Sequence, residues 1–518
     1  MKRFNVTGTC FPERHYMVDI GDKLQQIMEM IFRGDYFTIN RARQFGKTTT
    51  LHMIARKLPK DYFCVRTTFE GEGDDLFSSE EAFCGGFVRQ VADVVGRTDE
   101  DYAKMWLDEK VLSFPALKRH LDKVCTGRNV VLLIDEGDAN AQSRVFLQFL
   151  AMLRSKFLER YEDGVNTFHS VVLAGVYDIK NIRCKLTDDN LRDESKLLSP
   201  WNIATDFEVD MSFNPADIAT MLADYESDHK TGMDIDLLAN EIFHFTNGYP
   251  VLVSRICQYI DEAIDKNWTQ AGVLEAVKQT TWKKSVLFDD IVKNLENHPD
   301  LYDFMYKVVM YSEDRPLSVH DPIIELCLMY NYIRLDDDRR TRVSNIIFGT
   351  MLSQYFMSKD ETAGRINSRT CGILIQEVTA GGKLNMELVM RKFAMYYEEL
   401  FTENDTPFLE KHGRLVFLTF LSPLLNGHGF YHIESQLTDL RRMDIVVNFG
   451  NEQFIVELKT WRGDIAKEKA YGQLLGYMST KRADKGYLLT FDFRRDENKV
   501  RKAEWVQIGD KQIFDVVV

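Results

Sequence analysis

Several things are scarce in this sequence, and each scarcity narrows what the chain can be. Of 518 residues only eight are cysteines. They are scattered as Cys10, Cys64, Cys84, Cys125, Cys184, Cys257, Cys327 and Cys371, with no C-x-x-C pair. A disulfide framework or a zinc site needs clustered thiols, so these read as reduced core thiols of a cytoplasmic protein. No apolar run approaches the ~18 residues of a membrane span. The start, Met1-Lys-Arg-Phe-Asn-Val-Thr-Gly-Thr-Cys10, lacks the apolar core of a signal peptide. The expectation is a cytoplasmic chain without a membrane partner. Excess positive charge is missing too: the net charge is −14. That argues against a protein coated with nucleic acid, but it leaves room for a local basic groove, because the field at the site is what counts. The segment after Leu440 has a small Lys and Arg excess of about +3.

What is present is a globular composition, with 45% apolar and 12% aromatic residues. The length is enough for about three domains. The stretch Tyr36-Phe-Thr-Ile-Asn-Arg-Ala-Arg-Gln-Phe-Gly-Lys-Thr-Thr-Thr50 reads as a buried strand, a turn and a helix start. That order suits a phosphate-binding loop. Gly46 admits the backbone to phosphates, Lys47 reaches the β/γ-phosphates, Thr48 offers a hydroxyl to Mg²⁺, and the helix N-terminus adds partial positive charge. Arg43, Phe45 and Thr49 complete the candidate nucleotide-binding set. The full G-x-x-x-x-G-K-[ST] pattern wants glycine where this chain has Arg41. Downstream, Asn129-Val-Val-Leu-Leu-Ile-Asp-Glu136 is a buried parallel strand that delivers two carboxylates to its C-terminal edge. Asp135 would hold Mg²⁺, and Glu136 would orient or deprotonate the attacking water. The alternative is a core strand followed by an ordinary acidic turn.

Around these two stretches the chain alternates strand and helix, which implies a doubly wound parallel sheet. Asp22 is the expected cap of a helix running to Ile31. His15 or Tyr16 would stack on adenine, or His15 is simply a packed histidine. Tyr62 to Phe69 and Phe168 to Asp178 are further strands. Tyr177 or Asp178 sits where a γ-phosphate sensor would be, with Arg183 beyond. From Asn214 to Ala263 the pattern is helical, broken at Thr246-Asn-Gly-Tyr-Pro250. Together these motifs resemble AAA+/STAND-type ATPases, and more narrowly the bacterial AAA-ATPase-like group, over roughly the first half of the chain. That resemblance implies ATP as ligand, makes Arg41 a family trait, and brings Gly248 and Pro250 of the lid to the nucleotide. Completion of the site in trans by a second copy, giving a homo-oligomer, stays open.

Residues from Leu301 to Phe348 suit a small winged helix, a fold that binds DNA or serves as a spacer. Asp336-Asp-Asp338 at its wing favours the spacer. Ser358 to Thr370 is the expected linker, followed by helices over Asn385 to Thr402 and Leu415 to Leu425. Arg442-Met-Asp-Ile-Val-Val-Asn448 and Gln453-Phe-Ile-Val-Glu-Leu-Lys459 then read as a β-hairpin. Glu457 and Lys459, two residues apart on a strand, share a face, and the partner strand brings Asp444 to them. Two carboxylates and an amine at a sheet edge suit a metal-dependent phosphodiesterase. Asp444, Glu457 and the Leu458 carbonyl would bind Mg²⁺ or Mn²⁺, and Lys459 would orient or help deprotonate water. Gln473 and Tyr477 lie on one face of the helix that follows.

This ensemble is similar to the PD-(D/E)XK nuclease superfamily, in its RecB-like and AAA-fused branches. Arg442-Met-Asp444 stands where relatives have Gly-Arg-x-Asp. Glu434 is a further acidic candidate, and Trp461-Arg462 would flank DNA. The expected fold is α/β: a P-loop NTPase parallel sheet (1–212), a helical lid (213–285), a winged-helix-like domain (286–357), a linker (358–372) and an α/β PD-(D/E)XK nuclease-like domain (373–518). The expected activity is an ATP-driven switch controlling a nuclease that acts on nucleic acid, DNA first, with defence against foreign DNA as the setting that the resemblance suggests. The alternatives are a regulatory ATPase whose last domain binds nucleic acid or a protein without cutting, and a nuclease with an inert phosphate loop.

Overall fold

The computed structural model describes residues 2–69, 74–136, 143–175, 203–311, 313, 315–318, 321–363, 375–400, 406–425, 428–435, 443–461, 463–492 and 501–518. Tyr177, Asp178, Arg183, Arg442 and Arg462 lie outside them. The chain divides into two compact units. The first is Met1–Tyr225 with Tyr249–Val251 and Met329–Asn331; the second is Glu226–Gly248, Leu252–Leu328 and Tyr332–Val518. No helix among the described residues is long and apolar enough to cross a membrane.

The first unit is built on four parallel strands, β1 (Tyr36–Asn40), β2 (Tyr62–Thr68), β3 (Asn129–Asp135) and β4 (Ser170–Gly175), in the order β1-β4-β3-β2. A parallel bridge from Phe37 to Thr205 extends the sheet beyond β1. Strands β3 and β4 are buried along nearly their whole length, as continuous Val/Leu/Ile runs covered on both faces should be. The helices are α1 (Gly21–Phe32), α2 (Lys47–Lys57), α3 (Glu80–Val95), α4 (Glu100–Leu107), α5 (Phe114–Val124) and α6 (Arg144–Glu162). Ser79, Asp99, Ser113 and Ser143 each cap the helix that follows with a side-chain oxygen. Asp22 is not the cap of α1: it falls in the first turn, behind Ile20 at the cap position. Asp19 instead accepts from the Gly21 N–H at 2.8 Å.

In the second unit, α8 (Ile235–Thr246), α10 (Gln270–Trp282) and α14 (Ile346–Thr362) pack together. Between them in sequence come α9 (Pro250–Ala263), α11 (Val286–Asn297), α12 (Pro299–Tyr306), α13 (Pro322–Met329) and a hairpin, β5 (Ile333–Leu335) with β6 (Thr341–Val343). Helix α7 (Pro215–His229) precedes them. The expected linker overlaps the end of α14, which runs on to Thr362 because Asp360 is buried and accepts from the Tyr306 hydroxyl at 2.6 Å. A short turn, α15 (Ile375–Val378), leads through a two-residue ladder, β7 (Thr379–Ala380) and β8 (Lys383–Leu384), into α16 (Met386–Leu400) and α17 (Thr406–Leu425). The latter starts well before Leu415.

Six strands follow: β9 (Gly429–Ser435), β10 (Met443–Phe449), β11 (Glu452–Thr460), β12 (Lys485–Phe491), β13 (Lys502–Ile508) and β14 (Lys511–Val517), in the order β13-β14-β12-β11-β10-β9. Helix α18 (Asp464–Thr480) covers one face, where Ala470, Leu474 and Met478 pack on Ile455, Leu488 and Ile513. Helix α14 docks on β9, and the Tyr431 hydroxyl meets Met357 Sδ at 2.9 Å.

The described thiols are unpaired. Burial raises Cys84 and Cys125 to about 12, so both are inert at neutral pH. Burial in the core beside Trp106 holds the His120 imidazole below its ordinary pKa, because the interior does not solvate the charged ring. The folded state therefore favours neutral His120. Its contribution is complete above the unfolded value near ~6.5 and is lost as pH falls below it, where only the unfolded chain takes up the proton. His15, His52 and His169 are depressed by burial in the same way. Thermal melts between pH 7.5 and 5 should show stability falling with pH, and His120→Leu should show a shallower fall.

Candidate functional site

The phosphate loop leaves β1 through Arg41, which stands where a glycine would. Its guanidinium turns away from the loop, donating to the carbonyls of Asn40 (2.8 Å) and Val209 (2.6 Å) and lying over the Phe207 ring. The missing glycine therefore costs the loop no space. Gln44 and Gly46 both have positive φ, and Gly46 opens α2 with nothing within 4 Å of where a Cβ would stand. That bare backbone at a helix N-terminus fits an approaching phosphate. Lys47 Nζ donates to the carbonyls of Arg41 and Ala42, each at 2.9 Å. The ammonium is thus held over the loop, where a phosphate would replace the carbonyls. Thr48 faces a cavity of about 910 Å³ that Asp135 and Glu136 also line. The Thr49 hydroxyl is engaged by the Cys10 N–H at 3.1 Å.

Asp135 ends β3 almost fully buried, while Glu136 has φ 51. A left-handed carboxylate residue at a strand end is held there against a local cost of about 1–3 kcal/mol, a pattern concentrated at functional sites. The pocket-side partner that the sequence did not reveal is Arg66 on β2, whose Nη2 lies 3.4 Å from Asp135 Oδ2. Tyr249 was missed as well. Its hydroxyl donates to the Arg43 carbonyl at 2.6 Å, and its ring stands edge-on to Phe45 at 4.9 Å. Gly248 and Pro250 flank this contact, Gly248 with φ 70 and Pro250 as the first residue of α9. His15 accepts from the Phe11 N–H through Nδ1, and Tyr16 is buried between Phe4 and Tyr225. Neither presents a ring for stacking.

On the second sheet, register brings the acidic positions into one row. Glu434 pairs with Asp444, Asp444 with Glu457, Glu457 with Leu488, and Leu488 with Asp515. Glu457 is buried, and its carboxylate is ion-paired with Lys459. The side chains of Glu434 and Asp444 lie outside the described residues. Among those described, no group of three His, Cys, Asp or Glu side chains is close enough to hold a metal. Hard oxygen donors at three successive register positions are nonetheless the donor set that Mg²⁺ or Mn²⁺ takes. Gln473 and Tyr477 both lie on α18, and the Tyr477 hydroxyl is buried with no hydrogen-bond partner among the described residues.

Asp515 was not anticipated. It is fully buried, and its Oδ2 accepts from Tyr471 Oη (2.5 Å), Lys467 Nζ (2.7 Å) and Lys502 Nζ (2.8 Å). Burial by itself would raise its pKa, but the three donors outweigh that and hold it below the usual carboxylate range. Burial also lowers Lys467, whereas Lys502, which reaches Glu504 as well, is raised by its acidic partners against burial. Only a three-dimensional fold joins a helix at 467–471 to strands at 502 and 515.

Residues 430–503 match the PD-(D/E)XK nuclease superfamily. Among solved structures the chain is similar to the Walker-type ATPase paby2304 of Pyrococcus abyssi, at 13% identity over 67% of this chain and 99% of that chain, TM-score 0.47. It is also similar to the Aeropyrum pernix ORC2 protein in its ADPNP–ADP complexes (12%, 65% and 93%, TM-score 0.34). A third is the Aeropyrum pernix ORC1 protein in complex with DNA (11%, 66% and 94%, TM-score 0.30). A search of curated proteins gave no match. By its own parallel strand order and its Gly46-Lys47-Thr48 loop, the first unit has the arrangement of a phosphate-loop fold. Behind it the chain carries a PD-(D/E)XK nuclease superfamily domain.

Removing Asp515 would strand two ammonium groups and a phenol in a mostly buried site. Asp515→Ala should therefore cost about 3 kcal/mol in urea unfolding, whereas Glu504→Ala, on an exposed side chain, should stay within about 0.5 kcal/mol.

Proposed function

We propose that this chain is an ATP-binding and hydrolysing switch that controls a Mg²⁺-dependent nuclease acting on DNA. The observation that carries the reading is the direct pairing of Asp444 with Glu457, with Lys459 ion-paired to that same Glu457, inside the segment that matches the nuclease superfamily. Asp444, Glu457 and the Leu458 carbonyl would hold the divalent ion, which supplies a Lewis acid and a water of lowered pKa. Lys459 balances Glu457 at rest. With a metal bound there, Lys459 would steady the phosphate and orient the attacking water as its ammonium, or help deprotonate that water as the neutral amine. Gln473 on α18 would position the substrate over this row.

In the first unit, Gly46, Lys47 and Thr48 would cradle the phosphates, with Arg43, Phe45 and Thr49 shaping the loop. Thr48 and Asp135 would hold Mg²⁺, and Glu136 would orient water for hydrolysis. The proposed link between the two activities rests on the continuity of the chain. Helix α8 lies on the nuclease sheet, Phe245 against Phe430 and His432, and His244 meets Lys481 just beyond α18 at 3.1 Å. The same helix ends in Asn247 and Gly248, and the next residue, Tyr249, is bonded to the phosphate loop. A conditional nuclease of this kind suits defence against foreign DNA in the cytoplasm.

The test is to incubate the purified chain with linear, circular and single-stranded DNA in Mg²⁺ or Mn²⁺, with and without ATP. Cleavage should fall to background in Glu457→Ala, and Lys47→Ala should remove its dependence on ATP. Intact ATP hydrolysis with no cleavage of any substrate would instead favour a regulatory ATPase whose last domain binds without cutting.

A further inference from the structure

Arg66 has no role in the reading above, yet it occupies the most consequential position in the first unit's cavity. Strand β2 runs parallel to β3 with Arg66 beside Leu133 and Thr68 beside Asp135. Arg66 and Thr68, two residues apart, line the same wall of the cavity of about 910 Å³. Thr48 and Ala55 of α2 line it as well, and Asp135 and Glu136 stand at the end of β3. The Arg66 guanidinium contacts Asp135 at 3.4 Å, with Arg66 about one-third exposed and Asp135 almost entirely enclosed. The cation therefore sits against the carboxylate that would take Mg²⁺, on the side open to the cavity.

We propose that Arg66 is the resident counter-ion of Asp135 and, once nucleotide binds, the side chain that recognises the terminal phosphate of a nucleoside triphosphate. This rests on the nucleotide-binding reading given above. A divalent ion held by Thr48 and Asp135 would add positive charge beside the guanidinium and compete with it for that oxygen. With Asp135 so engaged, Arg66 would be left to meet the terminal phosphate of a nucleotide in the loop. Arginine suits this exchange because its charge is permanent and its fork fits carboxylate and phosphate oxygens alike. A diphosphate ends one group short and leaves Arg66 nothing to bind. Arg66 thus makes the first unit tell triphosphate from diphosphate.

The experiment measures the affinity of the full chain for fluorescent ATP and ADP analogues in Mg²⁺, for wild type, Arg66→Ala and Arg66→Gln. In both variants triphosphate binding should weaken at least tenfold while diphosphate binding stays within about threefold, and circular dichroism melts confirm folding. An unchanged ratio of the two affinities in a folded variant overturns the assignment. Wild-type protein that binds neither nucleotide overturns the nucleotide-binding reading itself, and the role of Arg66 falls with it.

Discussion

A carboxylate buried on a strand cannot remain charged unless a cation is set against it, because the interior does not replace the water it has lost. That constraint organises both halves of this protein. Asp135 is met by Arg66, Glu457 by Lys459, and Asp515 by Lys467 and Lys502. Each of the first two pairs sets a strand carboxylate against a single cation. Around Asp515 three donors crowd one oxygen and tie α18 to β13 and β14.

The phosphate loop shows how a departure from a motif is absorbed. A side chain at the first glycine position would fill the loop if it pointed inward. Arg41 instead crosses to Val209 and Phe207, so the loop keeps its open face through Gly46 alone. Tyr249 then braces the loop from a segment some two hundred residues away in sequence, through one hydroxyl and one ring edge. A loop of exposed backbone gains rigidity from such contacts, and rigidity is what keeps its N–H groups aimed at a ligand.

The second unit joins elements that the chain order separates. Helices α8, α10 and α14 pack with one another, and α14 lies on the first strand of the nuclease sheet. The polar stretch from Ser358 that reads as a linker begins as the last turn of α14, held by the buried Asp360–Tyr306 bond. A polar sequence looks like a loop until a partner for its one buried carboxylate is known.

The sequence by itself determined the elements and the chemistry carried along a single strand or helix. The run from Asn129 to Asp135, the hairpin that sets Asp444 against Glu457, and the Glu457–Lys459 pair were legible because strand periodicity and turn signals are local. The limits of α17 and α18 were less so, since polar turns carry no apolar period. Tertiary structure alone decided which cation meets each carboxylate across strands. Arg66 and Asp135 are 69 positions apart, and Lys467 and Asp515 are 48 apart. No periodicity links such positions; only the order of strands in the sheet and the helix laid over it bring them within reach, and the charge they must share keeps them there.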